Sequence, residues 1–187
     1  RIADFYEFMV NCNKLGIPII CYKGNHDSEI SKEFIFPNGK KINEYIYFPN
    51  DLELIQLGSK IYVTGVNRIS QKSDSECKCY YNLFLKPEHK PSLSNLSKLA
   101  RNTIFISHHP STNKFTYLGS YDITMFKERF NFKLHVHGHV KNYNGLYNEK
   151  SKNNPDIEYP TISAHYTQDQ SEHYYEDREI LNKLDQL

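Results

Sequence analysis

Residues 16 to 27 read GIPIICYKGNHD: an apolar run ends in a glycine, and an amide, an imidazole and a carboxylate follow. The Ile-rich run over residues 18 to 22 is typical of a short buried strand. Before it, residues 2 to 15 place apolar side chains at helical spacing, and Gly16 is a residue type that commonly ends a helix. The loop after the strand carries Asn25, His26 and Asp27, and a turn alone does not explain this set.

The order of helix, strand and histidine-bearing loop occurs twice more. A helix over residues 91 to 99 precedes a predicted strand, TIFIS, at residues 103 to 107. Another helix, with Asp122 as its predicted N-cap and an end near Asn131, precedes a predicted strand at residues 132 to 136. The loops after these strands carry His108, His109 and Pro110 and, further on, His137, Gly138 and His139.

These three loops are expected to meet. Strands joined through helices are usually parallel, and parallel sheets bind their ligands at the carboxyl ends of the strands. The sequence therefore predicts an α/β fold with one crevice lined by the three loops.

The remaining segments carry weaker signals. Residues 52 to 58 and 60 to 67 predict a β-hairpin around Gly58. Residues 157 to 166 predict a strand, and Pro160 within it favours an edge of the sheet. Three further predictions are an irregular polar connection at residues 70 to 92, a polar loop at 148 to 156 and a charged surface helix from Asp169 onward.

The composition is that of a single globular domain over residues 1 to 187, with 39% hydrophobic residues. A net charge of +1 gives no electrostatic case for binding nucleic acid or a membrane. No secretion leader and no apolar run of about 20 residues is visible, so we expect a cytoplasmic protein without a membrane partner. The cysteines, Cys12, Cys21, Cys77 and Cys79, are predicted to be ordinary thiols; half of a metal site at Cys77 and Cys79 is the alternative.

Imidazole nitrogens and hard oxygen atoms at converging strand ends are ligands that divalent transition metals accept. Asn25 offers a neutral carbonyl oxygen, which leaves a bound metal a strong Lewis acid. His26 could protonate a leaving oxygen, and Asp27 could favour the charged form of that imidazole. A single histidine at a strand end is more often structural, so the prediction of phosphate-ester hydrolysis depends on three matching loops.

The motifs resemble those of the calcineurin-like metallophosphoesterases. Residues 24 to 27 are similar to the family's G-N-H-[DE], residues 106 to 110 resemble its strand that ends in H-H-P, and Gly138 and His139 resemble the start of its G-H-x-H. The motifs occur in the family's order, and the resemblance covers roughly residues 1 to 145. It implies a four-layer α/β/β/α sandwich with a two-metal site at the carboxyl ends of the strands.

The resemblance also implies roles for single residues. Asn25, His108 and His139 would be metal ligands. His26 would protonate or stabilise the leaving group with Asp27 as its partner. His109 and Lys141 are the candidates for substrate binding. The cofactors would be two divalent metal ions (Mn, Fe or Zn), and the partner would be a phosphate-ester substrate.

The sequence departs from the family pattern at two points. Lys141 stands where the last histidine of G-H-x-H belongs, either as a phosphate contact or as a plain surface lysine. His137 and His139 offer an alternative pair at the same spacing, which fits the family register less well. The family's D-x-H and G-D-x-x-D motifs, which supply carboxylate ligands, have no match. Because the chain begins with Arg1, we expect an N-terminally incomplete sequence.

The predicted function is hydrolysis of a phosphate mono- or diester by a metal-activated hydroxide, with His26 assisting the leaving group. The alternative is a catalytically inactive remnant or scaffold with the same fold and an incomplete metal site. For the 187-residue chain alone we expect little turnover. A nuclease of the same family stays open, although the near-neutral charge argues mildly against it.

Overall fold

The computed structural model describes residues 2–24, 27, 33, 35–36, 38–67, 90–111, 119–139, 145–151 and 153–164. The helices in these ranges are α1 (Ile2–Lys14), α2 (Lys90–Leu99) and α3 (Tyr121–Phe130). The strands are β1 (Ile19–Ile20), β2 (Ile46–Tyr47), β3 (Ile55–Leu57), β4 (Ile61–Val66), β5 (Thr103–Ser107), β6 (Leu134–His137), β7 (Gly145–Lys150) and β8 (Glu158–Ser163). Short 3-10 helices cover Ile42–Glu44 and Ala100–Asn102.

Six of these strands form one mixed sheet in the order β3-β4-β5-β6-β8-β7. Strands β4, β5, β6 and β8 are parallel, and β3 and β7 lie antiparallel to their neighbours at the two edges. Strands β1 and β2 form a separate parallel pair. The predicted α/β class is confirmed, because α2 and α3 connect successive parallel strands. The four-layer arrangement stays a prediction.

Helix α1 ends as its sequence predicts. Gly16 has a φ of +69°, a backbone conformation that glycine adopts without a steric penalty. The amide of Gly16 donates to the carbonyl of Asn13 at 3.0 Å, and the amide of Ile17 donates to the carbonyl of Cys12 at 2.9 Å. These two bonds form a Schellman motif, which turns the chain from the helix into β1.

Two apolar cores hold the elements together. Helices α2 and α3 cover one face of the large sheet, where Phe105 packs against Phe126 and Phe132. Helix α1 covers the small sheet, where Met9 lies among Ile42, Tyr45 and other buried apolar residues. A Cβ atom on Gly65 of β4 would lie 2.8 Å from the ring of Tyr22, so the glycine allows the segment after β1 to contact the large sheet closely.

The predicted hairpin and the predicted strand TIFIS are both confirmed. Strand β5 covers the five residues that the sequence predicts. Leu57 of β3 pairs with Ile61 of β4 around Gly58, whose φ is +67°. The end of α3 is confirmed as well, since Asn131 adopts the left-handed conformation with a φ of +47°.

Two other predictions are wrong. The N-cap of α3 is Ser120, whose hydroxyl accepts a hydrogen bond from the amide of Ile123 at 3.4 Å, so Asp122 lies inside the first turn. Strand β8 is not at an edge, because it lies between β6 and β7. Its ladder with β6 begins at Thr161, one residue after Pro160, so the proline precedes that ladder.

The predicted loop at residues 148 to 156 is also partly wrong, since residues 148 to 150 belong to β7. Asn148, Glu149 and Lys150 pair with Pro160, Tyr159 and Glu158 of β8. Pairing with a neighbouring strand therefore decides the structure of this polar segment against its local sequence preference.

Several predictions fall on residues that the structure does not describe. These are residues 70 to 89 of the connection predicted at 70 to 92, the helix from Asp169 onward, and Cys77 and Cys79. The predicted connection is wrong at residues 90 to 92, which belong to α2. Cys12 and Cys21 are free thiols. Among the described residues, no helix is both long and apolar enough to cross a membrane.

Candidate active site

After β1, the carboxylate of Asp27 contacts the backbone of Gly24. The amide of Gly24 donates to Oδ2 of Asp27 at 2.6 Å, and the amide of Asp27 lies 3.4 Å from the carbonyl of Gly24. The predicted partner of Asp27 is His26, which lies outside the described residues, as does Asn25. The observed partner of Asp27 is therefore the backbone of Gly24, and its predicted role beside His26 stays a prediction.

Gly24 also brings this loop against the loop after β5. A Cβ atom on Gly24 would lie 2.6 Å from Nδ1 and 2.7 Å from Cε1 of His108. Real Cβ atoms do not come this close to other heavy atoms, so the imidazole of His108 occupies space that only a glycine leaves open.

The loop after β6 completes the group. Strands β5 and β6 are parallel neighbours, with Ser107 in register with His137, so their carboxyl ends lie side by side. The amide of Gly138 donates to the carbonyl of His108 at 3.1 Å. The predicted meeting of the three loops is thus observed at Gly24, His108 and His139.

The imidazoles of this group are in contact. Nε2 of His108 lies 3.1 Å from Nδ1 of His139, within hydrogen-bonding distance. The rings of His109 and His139 have centroids 4.1 Å apart. His109 is only 1% exposed, so it packs beneath His139 rather than opening to solvent. Its predicted contact with substrate stays a prediction, as does that of Lys141, which lies outside the described residues.

His139 holds its position through an unusual backbone conformation. Its φ is +69°, in the left-handed region that residues other than glycine rarely adopt. Such conformations persist where the surrounding structure enforces them, and they are concentrated at functional sites.

The two histidines within β6, His135 and His137, contact other residues than His108. His135 is buried, with Nε2 2.8 Å from Oγ of Ser107. Nε2 of His137 lies 2.9 Å from the hydroxyl of Tyr147, and Nδ1 lies 3.0 Å from the carbonyl oxygen of Gly138. Burial lowers the pKa of both imidazoles, so both favour the neutral form. The structure thus places His139, and not His137, against His108.

A buried charged pair lies behind these loops. The ammonium of Lys127 in α3 contacts the carboxylate of Glu149 in β7, and both side chains are less than a tenth exposed. Lys127 also donates to Oγ1 of Thr161 at 3.1 Å. Burial lowers the pKa of Lys127, while the charge of Glu149 opposes that change.

Asn67, directly after β4, fastens the segment that follows β1. Its Oδ1 accepts from the amide of Lys23 at 2.9 Å. Its side-chain Nδ2 donates to the carbonyl of Pro49 at 2.9 Å, and its backbone amide donates to Oδ1 of Asp51 at 2.7 Å. One side chain therefore fixes the residue before Gly24 relative to the large sheet.

The donor atoms fit part of a metal site. Nitrogen ligands lie about 2.0–2.1 Å from a metal such as zinc, so two neighbouring ligands of one ion are about 3.0–3.4 Å apart. The 3.1 Å between His108 and His139 agrees with this spacing. Among the residues that the structure describes, no group of three or more His, Cys, Asp or Glu side chains could hold a metal. The two imidazoles therefore fit as a partial set that needs further ligands.

Comparison with known proteins identifies the family. The model of the calcineurin-like phosphoesterases matches residues 1–143, which is more than half of the 187-residue chain. The chain therefore belongs to the calcineurin-like phosphoesterase family, as its motifs predict. The family generally binds divalent metal ions, and membership supports a hydrolase that acts on phosphoester bonds. No curated protein and no solved structure matches the chain.

Sequence reasoning missed the residues behind the histidine loops. Tyr147 and Glu149 are two residues apart in a strand and therefore share a face, which an alternating pattern in residues 145 to 150 could have indicated. Asn67 and Lys127 lie outside the motifs, and nothing local in the sequence distinguishes them.

Proposed function

We propose that this domain hydrolyses a phosphate mono- or diester with divalent metal ions, such as Mn, Fe or Zn, bound at the ends of β1, β5 and β6. The observation that carries the proposal is the contact of three loops from distant parts of the chain at Gly24, His108 and His139. Such a meeting of loops at the carboxyl ends of parallel strands is where α/β folds bind their ligands.

In this proposal His108 and His139 hold metal through Nε2 and Nδ1, and Asn25 adds its carboxamide oxygen. The bound ions would lower the pKa of water and neutralise charge on the phosphate. His26 would donate a proton to the leaving oxygen, and Asp27 would favour its imidazolium form. The family's carboxylate motifs have no match in these 187 residues, so the proposed site needs ligands besides Asn25, His108 and His139.

The substrate is a phosphate ester whose identity the described residues do not select. The near-neutral net charge gives no support for nucleic acid in particular. A cytoplasmic location likewise stays a proposal.

The experiment compares p-nitrophenyl phosphate with bis-(p-nitrophenyl) phosphate as substrates, in Mn²⁺ and in EDTA. It uses both the 187-residue chain and the product of the complete reading frame that encodes it. We expect Mn²⁺-dependent release of p-nitrophenol from the complete product, and a loss of about 100-fold or more in kcat in His26→Ala. The absence of metal-dependent hydrolysis in the complete product would contradict the proposal.

A further inference from the structure

Behind the histidine loops lies a polar cluster, buried apart from the half-buried Tyr147, that the proposed reaction does not use. Its members are Ser111, Lys127, Tyr147, Glu149 and Thr161. Lys127 and Glu149 form a buried ion pair. Such pairs stabilise proteins weakly, because the loss of hydration offsets much of the attraction between the charges. We therefore consider a positioning role for this cluster.

One oxygen of Glu149 is bonded to the loop after β5. Oγ of Ser111 donates to Oε2 of Glu149 at 2.5 Å. Ser111 follows His109 by two residues, so the carboxylate fixes the segment that leaves the two histidines. Lys127 contacts the same oxygen and supplies the opposite charge.

The other oxygen of Glu149 is connected to the loop after β6. The hydroxyl of Tyr147 lies 3.3 Å from Oε1 of Glu149. The same hydroxyl lies 2.9 Å from Nε2 of His137, which directly precedes Gly138 and His139 in the sequence. The hydroxyl has one proton, so it donates to Glu149 only when Nε2 of His137 carries a ring proton. The contacts of the carboxylate and the phenol join one histidine loop to the other.

We propose that Glu149, acting through Ser111 and Tyr147, is a positioning residue that sets the separation of His108 and His139. The proposal rests on the proposed function, in which the two imidazoles share a metal ion. Groups that hydrogen-bond directly to metal ligands typically change metal affinity by about 10- to 100-fold when they are removed. Glu149 acts through neighbouring residues, so we expect an effect at the lower end of this range.

The first test is Tyr147→Phe, which removes only the hydroxyl between Glu149 and His137. Tyr159→Phe is the matched control, because its hydroxyl also contacts a carboxylate, that of Glu128 at 3.3 Å, but has no bond to His137 or Ser111. Mn²⁺ affinity is measured from the electron paramagnetic resonance of free Mn²⁺. The positions of the His108 and His139 ring signals are measured by nuclear magnetic resonance in the metal-free chain.

We expect Tyr147→Phe to weaken Mn²⁺ binding about tenfold and to shift the ring signals of His139, while Tyr159→Phe changes neither. Unchanged ring signals in Tyr147→Phe would overturn the positioning role. This readout needs no metal, so it decides the proposal even if the unaltered chain binds no Mn²⁺. The proposed function is decided separately, by the metal-dependent hydrolysis assay.

A second pair of variants separates hydrogen bonding from charge. Lys127→Met with Glu149→Gln removes both charges but keeps an amide that can bond to Ser111 and Tyr147. Lys127→Met with Glu149→Met removes the bonds as well. We expect the variant with Glu149→Gln to keep the His108 and His139 ring signals at their positions in the unaltered chain. In the variant with Glu149→Met we expect these signals to shift. Urea unfolding first establishes that the two double variants are equally stable. If their His108 and His139 ring signals are then the same, the proposal is overturned.

Discussion

Nε2 of His108 lies 3.1 Å from Nδ1 of His139, although the two residues are 31 positions apart in the sequence. Two parallel neighbouring strands bring them together, since β5 ends directly before His108 and β6 ends two residues before His139. The contact also needs the left-handed backbone of His139, with a φ of +69°. A conformation of this kind costs about 1–3 kcal/mol, so the fold gives up stability to place this imidazole.

This cost leads to a prediction for His139. Both His139→Ala and His139→Gly should lose Mn²⁺ affinity, because each removes Nδ1. Glycine adopts a positive φ without strain, whereas alanine does not. We therefore expect the free energy of unfolding of His139→Gly to exceed that of His139→Ala by about 1 kcal/mol, as measured in urea with EDTA. Equal stability of the two variants would show that the backbone at this position is unstrained.

Gly24 gives a second prediction, because it leaves space for the ring of His108. In Gly24→Ala the added Cβ would lie 2.6 Å from Nδ1 of His108, and the ring must move away. A side chain moves more easily than the backbone, so we expect a small loss of stability and a loss of at least about tenfold in Mn²⁺ affinity, the scale typical of disturbed ligand orientation.

Gly138→Ala is the matched control for Gly24→Ala. A Cβ atom there would lie 3.4 Å from the carbonyl oxygen of Ala164 and 3.9 Å from Nδ1 of His108, distances of ordinary contact. We expect this variant to keep most of the Mn²⁺ affinity, as measured by the same titration. A larger loss in Gly138→Ala than in Gly24→Ala would contradict the structural account.

The sequence predicts those helices and strands whose residues prefer, by local propensity, the structure that they adopt in the fold. Strand β5 is a run of β-branched and aromatic residues, and it lies where the pattern places it. Strand β7 ends in Asn148, Glu149 and Lys150, polar residues that are strand only because β8 pairs with them. Both Ser120 and Asp122 are good N-caps, and only the extended backbone of Ser120 decides between them.

The candidate site divides in the same way. The motifs indicate His108 and His139 because metal chemistry restricts which residue types can stand there. They do not indicate the pair of Lys127 and Glu149, which are 22 positions apart and meet only when α3 packs on the sheet. A buried pair of this kind depends on the assembled fold, and local sequence carries no signal of its partner.

Asn67 gives a third prediction. Its side chain accepts from Lys23 and donates to Pro49, so Asn67→Ala leaves backbone groups without partners. Each unsatisfied group in a partly buried place costs about 1–3 kcal/mol, and we expect a loss of at least that size in the free energy of unfolding. Asn43→Ala, at an exposed position, is the control and should change it by less than about 0.5 kcal/mol. If Asn67→Ala and Asn43→Ala lose similar amounts of free energy of unfolding in urea, the role of Asn67 is contradicted.

His135 gives a prediction for the pH dependence of stability. Burial, followed by the charge of Lys127, lowers its pKa well below the ordinary value of 6.5. The unfolded chain therefore binds a proton that the folded chain does not, and the free energy of unfolding falls as the pH drops below 6.5. At a pH of about 5.5 this single group should contribute a loss of about 1.4 kcal/mol. His135→Gln keeps a polar contact for Ser107 but cannot titrate. Between about pH 7.5 and 5.5, its free energy of unfolding in urea with EDTA should therefore fall by about 1.4 kcal/mol less than that of the unaltered chain. An identical pH dependence in the two proteins would show that His135 is not the group responsible.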